Sequence, residues 1–321
     1  MIPPTLTQCG GGPCPGDCRN DRCLVTLVAQ PTAPGRVPST NNLAADSTHV
    51  YWSNYEGTVM AVSVTDRATT VIAAASPDVA VAVDATSVYW TTEPQDILAS
   101  PTVPEAIEKA PLCGGAITTL ATAFDLFSSY TTLAVNDTSV FFGSYTVVAA
   151  PLVGGGTRVT LIADQIGNAL AVDATNVYNQ RGNETDSVAW PLVKTPLAGG
   201  TPVTLAPLGS YAISAVTVDA TNVYWTEYSP HGENSGVVMS VPIAGGVATT
   251  LAGHRPGPKW MAIDSTYVYW LEHNDVLKAP LSGGGLVTTL ATSGSYFTGV
   301  AVTDASVVWS DWSGLYAITP K

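Results

Sequence analysis

The sequence predicts an all-β protein built from seven copies of one structural unit. The phrase Val-Asp-Ala-Thr-x-Val-Tyr-Trp is complete at 83–90 and at 218–225, and related phrases recur along the chain. Successive copies lie 37 to 52 residues apart, close to the spacing of about 40 to 50 residues in propeller blades. Only 12% of the 321 residues are charged, whereas 29 are glycine and 23 are proline, a composition typical of a turn-rich folded chain. We therefore predict a seven-bladed β-propeller.

Two columns of the repeat carry most of its pattern. The first column, at the Asp of the phrase, contains Asp46, Asp84, Asn136, Asp173, Asp219, Asp264 and Thr303. The second column, six residues later, contains Trp52, Trp90, Phe142, Asn179, Trp225, Trp270 and Trp309. Asp and Asn favour tight turns, and aromatic residues favour strands and buried positions. We expect both columns to be structural, and Asn179 to mark either a local opening or simple drift of the repeat.

Each copy contains four strands, labelled a to d. In the fifth copy, strand a covers 214–218, strand b begins at Val223, strand c covers 237–242, and strand d covers 249–252 after a Gly-Gly turn. Four short antiparallel strands with apolar residues on both faces describe a blade packed between its neighbours.

The two ends of the chain predict how the ring closes. The seventh copy ends after its strand c at Lys321, and the missing Val-Thr-Leu pattern of a strand d occurs at 23–29. We predict that 23–29 pairs with 314–319 and closes the last blade, which removes two exposed sheet edges. Length alone would allow two domains. The repeat instead divides the chain into a cysteine-rich leader, residues 1–22, and a propeller, residues 23–321.

Four of the five cysteines lie within fifteen residues, as Cys9, Cys14, Cys18 and Cys23. We predict two disulfides here, with the connectivity left open, and an unpaired Cys113. A four-cysteine zinc site is the alternative, but the spacings lack the two-residue knuckles that such sites favour. Disulfides together with the scarcity of lysine indicate an exported bacterial protein, secreted or held at the cell surface.

Charge and hydropathy limit the partners. The formal net charge of −13 disfavours nucleic acid and anionic lipid. No run of 18 apolar residues is present, so we expect no membrane insertion. The first nine residues lack the basic and apolar regions of a signal peptide, and we expect that such a peptide is absent or has been removed. We also expect a monomer.

The repeat resembles the YWTD repeats of low-density-lipoprotein-receptor-type propellers. The resemblance rests on Val-Tyr-Trp-Thr-Glu at 223–227, on Val-Tyr-Trp at 268–270, and on an Asp six residues before each Trp. A Pro-Leu-x-Gly-Gly hairpin at 280–284 adds to it. The repeats are also similar to those of exported propellers of myxobacteria. This resemblance covers nearly all of 42–321 and implies extracellular binding or scaffolding.

Candidate site residues are those that deviate from the repeat, because propellers carry function on loops above a uniform scaffold. Three of the four histidines fall in loops of adjacent blades, at His231, His254 and His273, with Glu227 and Glu272 close to them in sequence. Imidazole and carboxylate groups can bind a metal or act as an acid/base pair. The alternative is that all of them are ordinary solvated loop residues. We assign no cofactor, and a divalent cation is the option that remains open.

Three acids occupy the position two residues after the Trp column in consecutive blades, namely Glu227, Glu272 and Asp311. They could form an anionic rim, or each could satisfy local hydrogen-bond donors, and we favour the second interpretation. Lys259, Trp260 and Asp311 are the candidate ligand-binding residues.

No nucleophile elbow, Walker loop, zinc-protease motif or dinucleotide fingerprint is present. The sequence therefore predicts a binding or scaffold propeller that recognises a protein or glycan ligand with its loops. A lyase or hydrolase that uses the histidines and glutamates is the second hypothesis, and a purely structural surface module is the third.

Overall fold

The structure is a computed structural model that describes part of the chain. The described residues are 7–9, 12–19, 21–29, 43–77, 79–92, 106–122, 132–143, 146–154, 159–162, 165–181, 190–207, 212–228 and 234–321. Within these ranges the chain forms strands and turns and no helix. None of the described segments is therefore a helix long and apolar enough to cross a membrane.

Seven antiparallel sheets, each with strands in the order a-b-c-d, confirm the predicted seven-bladed β-propeller. The a strands are Ala44–Ala45, Val81–Val83, Thr132–Val135, Gln165–Val172, Ala212–Val218, Lys259–Ile263 and Phe297–Val302. The b strands are His49–Ser53, Ser87–Thr92, Ser139–Gly143, Asn176–Arg181, Asn222–Tyr228, Tyr267–Glu272 and Val307–Asp311.

The outer two strands of each blade follow in the same order. The c strands are Thr58–Ser63, Ala106–Pro111, Val147–Pro151, Leu192–Pro196, Gly236–Pro242, Asp275–Pro280 and Gly314–Thr319. The d strands are Thr69–Ala74, Thr118–Thr122, Val159–Ile162, Val203–Ala206, Thr249–Arg255, Thr288–Thr292 and Arg22–Ala29.

The blades form a closed ring. Each a strand contacts the a strand of the next blade, and the a strand of blade 7 contacts that of blade 1. The apolar core lies between neighbouring blades; at the closure, Leu27 and Val308 of blade 7 pack in one cluster with Trp52 of blade 1. This packing buries both faces of a blade, which explains the scarcity of charge.

The N-terminal strand closes the ring as the sequence predicts. Arg22–Ala29 pairs antiparallel with Gly314–Thr319, so that Cys23 lies opposite Thr319 and Ala29 opposite Gly314. Blade 7 is therefore assembled from the two ends of the described chain, and its closure depends on contacts between residues about 290 positions apart.

The segment before the closing strand adds structure that the repeat does not predict. Thr7–Cys9 and Gly12–Cys14 form a hairpin, and Asp17–Arg19 pairs with the closing strand as a fifth strand of blade 7. The two predicted disulfides are confirmed as Cys9–Cys18 and Cys14–Cys23, and Cys113 is a free, exposed cysteine. The division of the chain at residues 22 and 23 stays a prediction.

The Trp column is core, as expected. All five tryptophans of the column and Phe142 are buried, where each large aromatic contributes on the order of a few kcal/mol. Asn179 takes the place of Trp in blade 4 and is itself fully buried, with its Nδ2 donating to the carbonyl of Gln180 at 3.1 Å. The departure from the repeat therefore produces no opening at Asn179.

The Asp column supports the a–b turns and also binds a tyrosine. In blade 5, Asp219 Oδ1 accepts hydrogen bonds from the backbone amides of Thr221 and Asn222, each at 2.7 Å. Its Oδ2 accepts from the hydroxyl of Tyr224 at 2.7 Å. The same tyrosine–aspartate bond, at 2.5 to 2.8 Å, joins five pairs: Tyr51–Asp46, Tyr89–Asp84, Tyr178–Asp173, Tyr224–Asp219 and Tyr269–Asp264.

Candidate functional site

Strand order places most candidate residues at one end of the ring. In an antiparallel a-b-c-d blade, the b–c connection and the loop from strand d to the next strand a lie at the same end, which we call the loop face. The a–b and c–d turns lie at the other end, the turn face. His254, His273, Lys259 and Trp260 all lie at the loop ends of their strands. His231 falls outside the described residues.

The two described histidines are exposed and have unusual backbone geometry. His254 has φ 56° and His273 has φ 45°, values that few residues other than glycine adopt. His273 begins the two-residue turn between the paired residues Glu272 and Asp275. Among the described residues, no group of three or more His, Cys, Asp or Glu side chains could hold a metal ion. A cation site that includes His231 stays a proposal.

Glu272 is buried and bound on both carboxylate oxygens. Its side chain forms an ion pair with Arg255, whose Nε also donates to Oε2 at 3.0 Å. The indole nitrogen of Trp270 donates to the same Oε2 at 3.0 Å, and the guanidinium carbon of Arg255 lies 5.9 Å from the Trp270 ring centre. With only 4% of the residue exposed, this group ties blade 5 to blade 6 and offers no free oxygen to a substrate.

Glu227 has the same kind of partner one blade earlier. Its Oε1 accepts a hydrogen bond from the indole nitrogen of Trp225 at 2.7 Å. Burial raises the pKa of Glu227, and the bond from Trp225 opposes that shift in part. In blade 2, Glu108 of strand c accepts from Trp90 at 3.1 Å. Carboxylates therefore serve as acceptors for buried indoles, as the local-donor interpretation requires.

Asp311, the third acid, is 1% exposed and connects two loops. One oxygen accepts hydrogen bonds from the backbone amides of Ser313 and Gly314, at 2.7 and 3.1 Å, and from the Ser313 hydroxyl. The other oxygen accepts from the hydroxyl of Ser293 at 2.5 Å. Asp311 is therefore placed to position loop residues and is too buried to present its carboxylate to solvent.

Lys259 is exposed and lies between two aromatic rings. Its Nζ is 5.8 Å from the ring centre of Tyr228 and 5.8 Å from that of Trp260, within the range of a cation–π contact. Trp260 has φ 41°. Gly257 has φ 77°, and a Cβ on it would lie 3.2 Å from the Tyr228 ring. Glycine at this position therefore lets Tyr228 fold back beside Lys259.

Exposed aromatic residues concentrate on the loop face, and the sequence analysis missed them. Among the described residues, the exposed aromatic side chains are Tyr55, Tyr228, Tyr296 and Trp312, and all lie in b–c or d–a connections. The exposed large aliphatic side chains lie on d strands or c–d turns: Val71, Ile117, Val153, Val159, Val203, Val247 and Leu286. The signal in the sequence was an aromatic residue outside the repeated phrase.

A cleft of about 630 Å³ lies on the turn face, between blades 6 and 7. Asp264, Tyr267, Asp304 and Lys321 are among its lining residues, and Lys321 Nζ lies 3.1 Å from Asp264 Oδ2. The cleft contains none of the residues that the sequence predicts as a site, so its position gives those candidates no support.

Comparison with known proteins supports the fold and leaves the function open. No family model matches the chain, and no curated protein matches it. A chain in the structure of a nidogen/laminin complex is 18% identical, with a TM-score of 0.53, over 77% of this chain and 92% of that one.

Two bacterial lyases have similar folds. Catalytically inactive virginiamycin B lyase from Staphylococcus aureus, solved with quinupristin, is 11% identical with a TM-score of 0.67, over 93% of this chain and 99% of its own. Oligogalacturonate lyase from Vibrio parahaemolyticus is 10% identical with a TM-score of 0.68, over 95% of each chain. At such low identity the likeness establishes the fold alone.

Proposed function

We propose that this protein is an extracellular binding propeller that recognises a glycan or protein ligand through its loop face. The carrying observation is the concentration of exposed aromatic side chains on that face, in blades 1, 5 and 7. Tyrosine and tryptophan are enriched where surfaces bind partners, because each buries a large area at a small cost in conformational entropy. The two disulfides are typical of proteins in oxidising compartments.

The arrangement of the carboxylates favours binding over catalysis. Glu272 is held by Arg255 and Trp270, and Glu227 is held by Trp225. Neither is arranged as a free acid or base beside His254 or His273, which a lyase or hydrolase mechanism on this face would need. The similar folds include a nidogen/laminin complex and two lyases, so the fold by itself does not choose between the two hypotheses.

The test is a glycan array and a proteome array probed with three forms of the protein. The first is the unchanged chain, the second carries Tyr228→Ala and Lys259→Ala on the loop face, and the third carries Val247→Ala and Leu286→Ala on the turn face. We expect array signals that the loop-face variant weakens by about tenfold or more and the turn-face variant retains. Signals that only the turn-face variant loses, or no signal on either array, would refute the proposal.

A His273→Ala variant separates binding from catalysis. If binding is the function, this variant should keep its array signal, because His273 is an exposed turn residue outside the aromatic contacts. If a substrate found on the array is turned over by the unchanged chain and not by His273→Ala, at an equal melting temperature, the enzyme hypothesis replaces ours.

A further inference from the structure

Two aromatic side chains of blade 7 form an exposed pair on the loop face. Tyr296 lies in the loop between strand d of blade 6 and strand a of blade 7, and Trp312 lies in the b–c turn of blade 7. Their ring centres are 5.2 Å apart and their planes are tilted by 53°. Tyr296 is 71% exposed and Trp312 is 59% exposed, so both rings present much of their surface to solvent.

The backbone beneath the pair is held by a buried carboxylate. Asp311 accepts from Ser293, before Tyr296, and from Ser313 and Gly314, after Trp312. The amide of Trp312 donates to the carbonyl of Tyr296 at 3.2 Å. A Cβ at Gly314 would lie 2.6 Å from the carbonyl oxygen of Val28, so the turn is packed against the closing strand. The pair is thus preorganised, which lowers the entropy cost of binding.

The surroundings of the pair select the chemistry of a ligand. The segments 293–296 and 311–314 contain no Lys or Arg, and their one carboxylate, Asp311, is buried. Serine hydroxyls at Ser293, Ser295 and Ser313 flank the rings. A nucleic acid could stack on such rings, but it needs a cationic groove for its backbone, and the net charge here is −13.

We infer that Tyr296 and Trp312 form a stacking platform for a neutral oligosaccharide of pyranose sugars. An aromatic ring has a negative face, and a pyranose whose hydroxyl groups are equatorial presents axial C–H groups, which are weakly positive, on both of its own faces. Such a sugar can stack on Trp312 or Tyr296 while its hydroxyls contact water and serine. The inference rests on the proposed function, since it assigns a site and a ligand class to the loop face.

The experiment is titration calorimetry of the full chain with cellohexaose and with xylohexaose, two neutral oligomers of such sugars. We expect saturable binding of at least one of them, with a Kd of ~1 mM or tighter. Trp312→Ala should weaken it by about tenfold or more, and Trp312→Phe should restore most of the loss because it keeps an aromatic face. Leu286→Ala, on the turn face, is the matched control and should bind as the unchanged chain does. Equal melting temperatures exclude misfolding as the cause.

Three results overturn the inference, and they separate its failure from that of the proposed function. Oligosaccharide binding that Trp312→Ala retains and the Tyr228→Ala, Lys259→Ala variant loses would move the site to blades 5 and 6 and leave loop-face binding intact. Absence of oligosaccharide binding together with loop-dependent signals on the proteome array would assign the face to a protein partner. Absence of both would refute both proposals.

Discussion

At the scale of single residues, the tyrosine–aspartate bond connects strand b to the a–b turn. In the two blades that lack it, both partners are replaced together, as Asn136 with Phe141 and Thr303 with Val308. Burial, and then the bond and charge of Asp219, raise the pKa of Tyr224 to about 12. The phenol therefore stays protonated and donates its hydrogen bond throughout the neutral range.

Removing one such hydroxyl should cost measurable stability. We expect Tyr224→Phe to lower the free energy of unfolding by about 1 kcal/mol, because Asp219 loses a donor at 2.7 Å. The matched control is Phe141→Tyr in blade 3, where the facing residue is Asn136 and no carboxylate waits for the hydroxyl. Denaturant midpoints measure both; a stabilised Phe141→Tyr or an unaffected Tyr224→Phe would contradict this account.

The turn aspartates should make the fold sensitive to acid. Burial opposes ionisation of Asp46, Asp84, Asp173, Asp219 and Asp264, but hydrogen bonds from the turn amides and from tyrosine lower each pKa overall.

A carboxyl group with a lowered folded pKa adds stability above its unfolded pKa of about 3.9, and that stability is lost as the pH falls through the folded pKa. We therefore expect the melting temperature to fall between pH ~5 and pH ~2, and to fall less for Asp219→Asn. An equal fall in both proteins would show that these carboxylates do not contribute to the acid response.

Residue roles were predictable where one position repeats, and much less so where two positions cooperate. The Asp and Trp columns are visible in the sequence because each copy has the same residue type. The ion pair of Arg255 with Glu272 occurs in one blade only, so no repetition signals it. The exposed pair Tyr296 and Trp312 was missed for the same reason.

At the scale of elements, strand Arg22–Ala29 carries the closure of the ring. Leu27 on this strand is buried among residues of blades 7 and 1, whereas its neighbour Thr26 is exposed on the opposite side of the strand. The strand was predictable because it repeats the Val-Thr-Leu pattern of the other d strands. The fifth strand, Asp17–Arg19, was not predictable, because its pairing follows from the disulfides and not from any repeat.

We expect Leu27→Ala to destabilise the protein by about 2 to 5 kcal/mol, because it leaves a cavity at the junction of the first and last blades. Thr26→Ala, the adjacent control, should change stability by no more than about 0.5 kcal/mol, because Thr26 is exposed. Thermal unfolding of both variants gives the comparison. Equal, small effects would mean that the N-terminal strand does not hold the ring closed.

At the scale of the whole molecule, the fold was predictable from the spacing of seven copies and from the missing strand at one end. The choice of the loop face for binding needed the structure, because exposure cannot be read from residue type. Tryptophan is buried throughout its repeat column and exposed at Trp312. The ring presents aromatic side chains at one end and aliphatic ones at its outer strands and other end, and this polarity carries the proposed function.

The most direct measurement of that polarity is oxidative footprinting of the protein with and without the ligand that gives the strongest array signal. We predict that the ligand protects Tyr228, Tyr296 and Trp312 from oxidation and leaves Val247 and Leu286 unchanged. Protection of Val247 and Leu286, with the loop-face aromatic residues still oxidised at their free rates, would contradict the assignment of binding to the loop face.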